Sequence, residues 1–526
     1  MFKLVDEKVN QLLNHCDRGL LNKRLIGVEK ESLRVSPEGG ISQLAHPASL
    51  GAALTNPYIT TDYSEALLEF ITPPLRHIES VLEFLRDSQA YVYQKLQNDE
   101  ILWATSMPCV VAGDSSIPIA EYGSSNAGQM KSIYRLGLGH RYGRVMQVIA
   151  GVHFNYSLPE DFWPVYKDIM QDSEQNLTDF QSDQYFSMLR NLQRYGWLIP
   201  YLFGASPAVC KSFLGGAQTN LQDFDEYTYY EPYATSLRMG DIGYQNNKEN
   251  ESGVKACYQN LNSYVKTLQC AIETPYKGYE EIGVKVDGKY KQLNANLLQI
   301  ENEYYSTVRP KQILQGTEKP IMALKKRGVQ YVELRSLDVN AFDPLGINET
   351  QLRFIEVFML FCLLMDGEQI CFSEREEIDK NELDVAHKGR DPKLKLRRKS
   401  SDVSLKDWAN ELLDGMQSVS ELLDRDKQDT PYKDALNRQM EKVQDADLTP
   451  SARMLNEMRE TKEGFYHFAK RMSQKHNQYF TKLKLSKERE MFFDKAAADS
   501  ISRQASIEAA DTQSLDDYLA DYFRQR

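Results

Sequence analysis

An α+β fold with a helical C-terminal third is what the 526-residue sequence predicts, and three observations carry the prediction. The first two-thirds mixes β-branched, aromatic and turn-rich segments, several alternating apolar and polar residues with the period of a strand. From about Asp366 charged residues dominate, strand patterns vanish and helical periodicity takes over. No repeat of roughly 20–50 residues is present, which removes solenoids and propellers. The organisation expected is a catalytic α+β body over 1–367 and a mainly helical region over 368–526 packed on it.

In chain order, the opening segment sets Val5, Val9, Leu12, Leu13, Cys16 and Leu20 at helical spacing, an amphipathic first helix. Strands are expected over 25–35, 66–72, 145–157, 297–309 and 328–339. Asp287-Gly288, within the extended stretch 284–289, is the chemistry of a tight hairpin turn. Ser404, with Asp407 three residues on, caps a helix whose stripe is Leu405, Trp408, Ala409, Leu412, Leu413 and Met416. Two more helices are expected over 451–458 and 514–524. The basic run at 393–399, KLKLRRK, reads as a solvated loop rather than a nucleic-acid patch.

Composition narrows the function. Apolar residues are 41% of the chain and charged residues 26%, enough for a core and no case for disorder. The net charge of −12 argues against binding nucleic acid or anionic lipid, both of which need clustered Lys and Arg. Seven scattered cysteines without a C-x-x-C pair give neither a zinc site nor a secreted disulfide framework, and no signal or spanning segment stands out. A cytoplasmic chain is the expectation.

Nucleotide-loop motifs fail on inspection. Gly283-x-x-x-x-Gly288-Lys289 ends in Tyr290 where a phosphate loop needs Ser or Thr, and it coincides with the hairpin turn. The spacing of Gly137, Gly139 and Gly143 misses the dinucleotide fingerprint, and there is no G-x-S-x-G or H-E-x-x-H. The informative pattern is different: strands that carry polar groups on one side only.

In 25–35, Gly27, Glu29, Glu31 and Leu33 share a face, and adjacent carboxylates repel unless a cation neutralises them. A solvent-facing edge is the bland alternative, with Lys30 and Arg34 opposite. Glu69 is framed by Leu67, Leu68, Phe70 and Ile71, a setting that demands a positive partner or a metal. In 145–157 one face reads Gln147, Ile149, Gly151, His153, Asn155, and in 328–339 Glu333 and Arg335 share a face. Over 297–309 the row is Gln299, Glu301, Glu303, Tyr305, Thr307, Arg309. Each alone is compatible with an ion pair or a satisfied core residue. Assembled into one sheet they make an acidic basin with Arg at its rim. Hard carboxylate oxygens without His–Cys clusters suit Mg²⁺ bridging substrate phosphates, and a bare metal-binding protein has no use for the arginines.

The segments GVEKESLRV, LTNPYITTDYSEALLEFITPP, YGSSNAGQMKSIYRLGLGHRYG, QVIAGVHFNYSLP, RYGWLIPYLFGASPAVC, YATSLRMGDIGY, LQIENEYYSTVRPK and YVELRSLDVN resemble the proteobacterial type of glutamate–cysteine ligase (γ-glutamylcysteine synthetase). The resemblance spans nearly the whole chain and loosens after about Glu368. It implies a glutamine-synthetase-like antiparallel sheet forming a funnel, and ATP-dependent joining of the L-glutamate γ-carboxylate to the L-cysteine amine, the first step of glutathione biosynthesis. By the same resemblance Mg²⁺, with Mn²⁺ as a substitute, is held by Glu29, Glu31, Asp62, Glu69 and Glu333. The cysteine pocket includes Tyr63, Tyr134, Leu138, Gln147, Tyr244 and Tyr305. Arg238 and Arg335 are the cations for substrate carboxylate and transferring phosphate, with Arg335, Glu333 and His153 as catalytic groups and Asn155 beside the substrate. The implied partners are L-glutamate, L-cysteine and ATP, with no nucleic acid, membrane or obligatory protein partner. The rival from the same chemistry is a ligase that activates glutamate for a different amine. A fused second ligase is not expected in the roughly 150 helical residues that remain.

Overall fold

In a computed structural model, which describes residues 2–15, 19–243 and 255–525, the chain is built around an antiparallel sheet. Its strands are β1 (Leu25–Val35), β2 (Ile59–Thr61), β3 (Leu67–Ile71), β4 (Ile101–Leu102), β5 (Gly151–Ser157), β6 (Val308–Lys311) and β7 (Tyr331–Asp338). The order is β6-β7-β5-β1-β3-β2, with β4 pairing the far end of β1. One face of β1, β3, β5 and β7 is apolar, and Ile26, Val28, Phe70, Phe154 and Leu334 are all buried there. Helix α2 (Ile78–Tyr93) packs against β1 and β3. The opposite face carries the polar rows.

The first helix forms as expected, α1 (Lys3–His15), with Val5, Val9 and Leu12 buried; Cys16 lies outside the described residues. Helix α3 (Asn126–Tyr142) starts at Ser125, whose hydroxyl accepts from Gly128 N–H. Helix α4 (Glu349–Leu364) opens with a full capping box, Asn348 with Gln351, and is buried around its whole circumference. It packs on helices Leu177–Tyr195 and Pro431–Gln444, so the C-terminal helices share one apolar core with the sheet. A buried group ties the two together: Glu356 Oε2 accepts from Arg24 Nη2 at 2.9 Å and from the Tyr432 hydroxyl at 2.7 Å. Helices capped by Ser404 and Ser514 form as expected, as does Pro450–Thr461. None of the described helices is long and apolar enough to cross a membrane.

Three expectations change, and one feature is added to them. Residues 145–157 are not one strand: Val145–Val148 is a 3-10 turn and the strand begins at Gly151. Residues 297–309 are broken by a second 3-10 turn, Glu301–Glu303, leaving only Val308–Lys311 extended. Glu303 then turns inward, where Oε1 accepts from Arg141 Nη1 at 2.8 Å and Oε2 accepts from Gln299 N–H at 2.7 Å. The basic run is a hairpin, Lys395–Arg398 against Ser401–Ser404, turning through Lys399 and Ser400 with φ of 49° and 65°. Leu396 is its buried anchor, and Arg397 and Arg398 pair with Asp402 and Glu411. Finally, Cys109 and Cys210 form a disulfide with Cα atoms 5.5 Å apart; pairing across 101 residues leaves no local spacing signature. The Asp287-Gly288 turn is as expected, with φ of 49° and 76° at the two residues.

Behind the sheet, on α6 (Phe465–Lys482), His476 is buried. Burial first, then the charges of Lys30 and Lys475, push its pKa down to about 3. Its folded pKa is depressed, so the ring is neutral in the fold and takes a proton more readily when unfolded. The stabilisation is complete above the unfolded value near ~6.5 and is lost as pH falls toward the folded one. Urea denaturation at pH 7 and pH 4.5 should show wild type losing about 2.5 kcal/mol relative to His476→Gln. A pH-independent difference would assign the effect to packing.

Candidate active site

The strand registers decide which side chains meet. Glu29 on β1 lies opposite His153 on β5, Glu31 opposite Glu69 on β3, and Glu333 on β7 opposite Asn155. Side chains alternate strictly along a strand, so these pairings put all six groups on the same face. There they line or support a cavity of about 330 Å³. Asp62, just past β2, closes one side.

Within it, His153 Nδ1 is 3.1 Å from Glu29 Oε2 and 3.9 Å from Glu333 Oε1, and Nε2 is 3.9 Å from Glu31 Oε1. Ligand atoms of Glu29, His153 and Glu333 all lie within 4.8 Å of one another. Asn155 stands behind the wall, donating from Nδ2 to Glu29 Oε1 at 2.9 Å. Glu31 Oε2 accepts from Gly151 N–H at 2.6 Å. Burial and the neighbouring charges together shift the carboxylates, in opposite directions. Burial, then the charges of Glu29, Asp62 and Glu31, hold Glu69 well above the ordinary range. Burial also raises Glu31. Glu29 and Glu333 go the other way: burial opposes them, but the hydrogen bond from His153 lowers Glu29, and Lys311 and Arg335 lower Glu333. Glu333 Oε2 makes no hydrogen bond, though Arg335 Nη1 is 3.3 Å away.

The cations come from three directions. Arg335 is on β7 within the register shift that lies between Leu334 and Leu337 in the pairing with β5. Arg238 sits in the 3-10 turn Leu237–Met239, whose N-cap Ser236 accepts from Met239 N–H and donates to Asp338 Oδ1 at 2.9 Å. Its Nη2 donates to the Arg335 carbonyl at 2.9 Å, and a Cβ at Gly151 would lie 2.1 Å from that nitrogen, so the close approach needs glycine. The third source is α3: Lys131, Tyr134, Arg135 and Leu138 recur at helical spacing and line the cavity together. Arg135 Nε donates to the Asp62 carbonyl, and burial, then Arg135, pushes the Lys131 amine down to about 8. Counting Arg309 and Lys311, six cations face five carboxylates, so the basin is balanced rather than acidic.

Of the residues expected at the site, Glu29, Glu31, Asp62, Glu69, Glu333, His153, Tyr63, Tyr134, Leu138, Gln147, Tyr305, Arg238 and Arg335 line this one cavity, while Asn155 supports it from behind. Tyr244 lies outside the described residues. Lys131, Arg135 and Lys311 were not anticipated. Lys131 and Arg135 were legible in principle, since they fall three before and one after Tyr134 on the same helix face.

Known proteins resemble this chain over most of its length. The profile of the family described as Glutamate-cysteine ligase matches residues 9–385. A glutamate–cysteine ligase of Alcanivorax borkumensis is 47% identical over 526 residues, covering 99% of each chain. The crystal structure of a glutamate–cysteine ligase from Francisella tularensis in complex with AMP superposes with a TM-score of 0.89 at 38% identity, covering 95% of this chain and 97% of that one. A bifunctional glutathione synthetase from Pasteurella multocida superposes at 0.70 with 25% identity, covering 91% of this chain and 55% of that one.

Proposed function

Since this chain belongs to the glutamate–cysteine ligase family, we propose that the carboxylate-lined cavity on the sheet is its active site. The chain joins the γ-carboxylate of L-glutamate to the amine of L-cysteine at the expense of ATP, through γ-glutamyl phosphate, the first step of glutathione biosynthesis. The observation that carries the site assignment is the register itself, which gathers Glu29, Glu31, Glu69 and Glu333 around one cavity, with Asp62 past the end of β2 and Arg335 and Arg238 beside them.

The donor set suits a hard divalent cation. Glu69 and Glu31 are crowded by neighbouring carboxylates and raised, and Glu333 keeps a buried oxygen without a hydrogen bond, a set of hard oxygen donors that suits Mg²⁺. Glu29, Glu31, Asp62, Glu69 and Glu333 would hold it, and Mn²⁺ fits the same oxygens. When bound, the cation supplies neutralisation of the phosphate oxygens.

The side chains do the rest by position and charge. Two anions must meet when a carboxylate oxygen attacks the γ-phosphorus, so Arg335, half-buried and held charged by Glu333, offsets their repulsion and aligns the transferring group. Arg238 receives a carboxylate of the substrate. Tyr63, Tyr134, Leu138, Gln147 and Tyr305 line the side of the cavity suited to the small amine substrate. His153 orients Glu29 and Glu333. The acyl phosphate is reactive enough for the cysteine amine to displace phosphate directly, so no protein nucleophile is required.

The test is ADP release from ATP, Mg²⁺ and glutamate, with and without cysteine, followed by mass detection of the product. Cysteine-dependent release of ADP with a γ-linked dipeptide is expected. Release from glutamate alone, indifferent to cysteine, would overturn the amine assignment.

A further inference from the structure

The turn that carries Arg238 has a support outside the cavity. Helix α5 (Phe372–Lys388) ends against the segment 231–241. In its last turn, His387 places Nδ1 2.7 Å from Glu231 Oε2 and Nε2 2.9 Å from Asp241 Oδ1. These carboxylates stand at the two ends of the segment, with Arg238 between them. A neutral imidazole has one donor and one acceptor, so holding two carboxylate oxygens at these distances calls for the doubly protonated ring.

The contact continues along the backbone. The Ala386 carbonyl accepts from Thr235 N–H at 2.9 Å and Ser236 N–H at 3.2 Å, and the Val385 carbonyl accepts from the Thr235 hydroxyl at 2.8 Å. Ser236 is the cap of the Arg238 turn. Arg390 donates to the carbonyls of Pro232 and Ala234 at 2.7 and 3.2 Å. Gly240 passes so close to the ring that a Cβ there would lie 2.7 Å from His387 Nε2. Every one of these bonds joins residues near 385–390 to the stretch that presents Arg238.

We propose that His387 is a positioning residue for the ligation, clamping both ends of the 231–241 segment so that the Arg238 guanidinium stands where it can take a substrate carboxylate. This rests on the assignment of Arg238 given above. The charged groups that meet the ring are Glu231 and Asp241 from the segment; on α5 itself Asp384 is paired with Lys380, and past its end Arg390 is turned to carbonyls. Burial alone would lower the His387 pKa, and the two carboxylates hold it above the ordinary value. A raised folded pKa means the clamp is complete at low pH and released as pH climbs through that pKa.

Steady-state kinetics on the full chain test this. His387→Gln should raise the KM for glutamate roughly tenfold with kcat within about twofold. In wild type that KM should rise on the alkaline side, and the rise should be missing in His387→Gln. Gly240→Ala presses on the ring at Nε2 and should raise the same KM with the histidine intact. If Gly240→Ala and the wild-type pH profile both leave KM unmoved, the clamp is wrong, whether or not His387→Gln folds. A parallel fall in kcat and melting temperature would make His387 merely structural. Wild type that shows no cysteine-dependent ADP release would instead overturn the functional assignment itself.

Discussion

Glu69→Gln is expected to lower the ligation rate by roughly 10²–10³-fold while leaving the metal-free protein at least as stable as wild type. The two halves of this result have one cause. Glu69 lies directly opposite Glu31 across the β1–β3 ladder, and burial with Glu29, Asp62 and Glu31 already holds its carboxyl far above the ordinary range. Like charges in register destabilise a sheet unless a cation joins them. Glutamine keeps the length and one acceptor oxygen, removes the charge, and so relieves crowding among the carboxylates of the metal-free protein. The same loss weakens the grip on a divalent cation and on the phosphate oxygens it would neutralise. ADP release across a MgCl₂ titration, with thermal unfolding run with and without Mg²⁺, checks both halves. Wild type should gain melting temperature on adding Mg²⁺, and the variant should gain less. A full rate at saturating Mg²⁺ would take Glu69 out of the metal set.

How much of this was legible beforehand depended on whether the signal was local. Alternation along Leu25–Val35, Leu67–Ile71, Gly151–Ser157 and Tyr331–Asp338 is a property of each segment alone, so the polar face could be read directly. Which strand sits beside which is not local. The pairings of Glu31 with Glu69 and Glu29 with His153 join residues 38 and 124 positions apart, and motif resemblance rather than periodicity anticipated their meeting. The 297–309 row shows the opposite failure. Its alternation is real, but the Glu301–Glu303 turn rotates the side chains, and Glu303 is drawn to the buried Arg141 instead of the cavity. A tertiary ion pair overrode the local period. The basic hairpin was missed because four-residue strands with a single buried residue, Leu396, give almost no pattern. Lys131 and Arg135 were missed for a different reason: on a helix of mixed polarity, a functional stripe of cations looks like a solvated one until a sheet lies across from it.

The second large effect is expected at Arg335. Arg335→Lys should lower kcat by about 10²-fold and leave the KM for glutamate within about twofold. The cavity keeps this guanidinium charged, since burial opposes the charge and Glu333, Tyr305, Glu31 and Glu29 more than compensate. Its Nε is buried without a hydrogen bond, and only Nη1 approaches Glu333, at 3.3 Å. Donors held in place but unsatisfied in the resting site are what a transferring phosphoryl group would use as its charge spreads over the equatorial oxygens. A lysine ammonium preserves the charge next to Glu333, so the carboxylate cluster and the fold should survive. It cannot supply two parallel N–H groups in one plane, and its shorter reach leaves the phosphate less well aligned. The loss therefore falls on the step in which the fork is engaged rather than on binding. The Arg335 backbone carbonyl, which accepts from Arg238, is unchanged by the substitution, so the neighbouring substrate cation should stay in place. If kcat holds and only the KM for glutamate rises, Arg335 belongs to substrate binding, and the phosphoryl contacts pass to Lys131 and Arg135 on the facing helix.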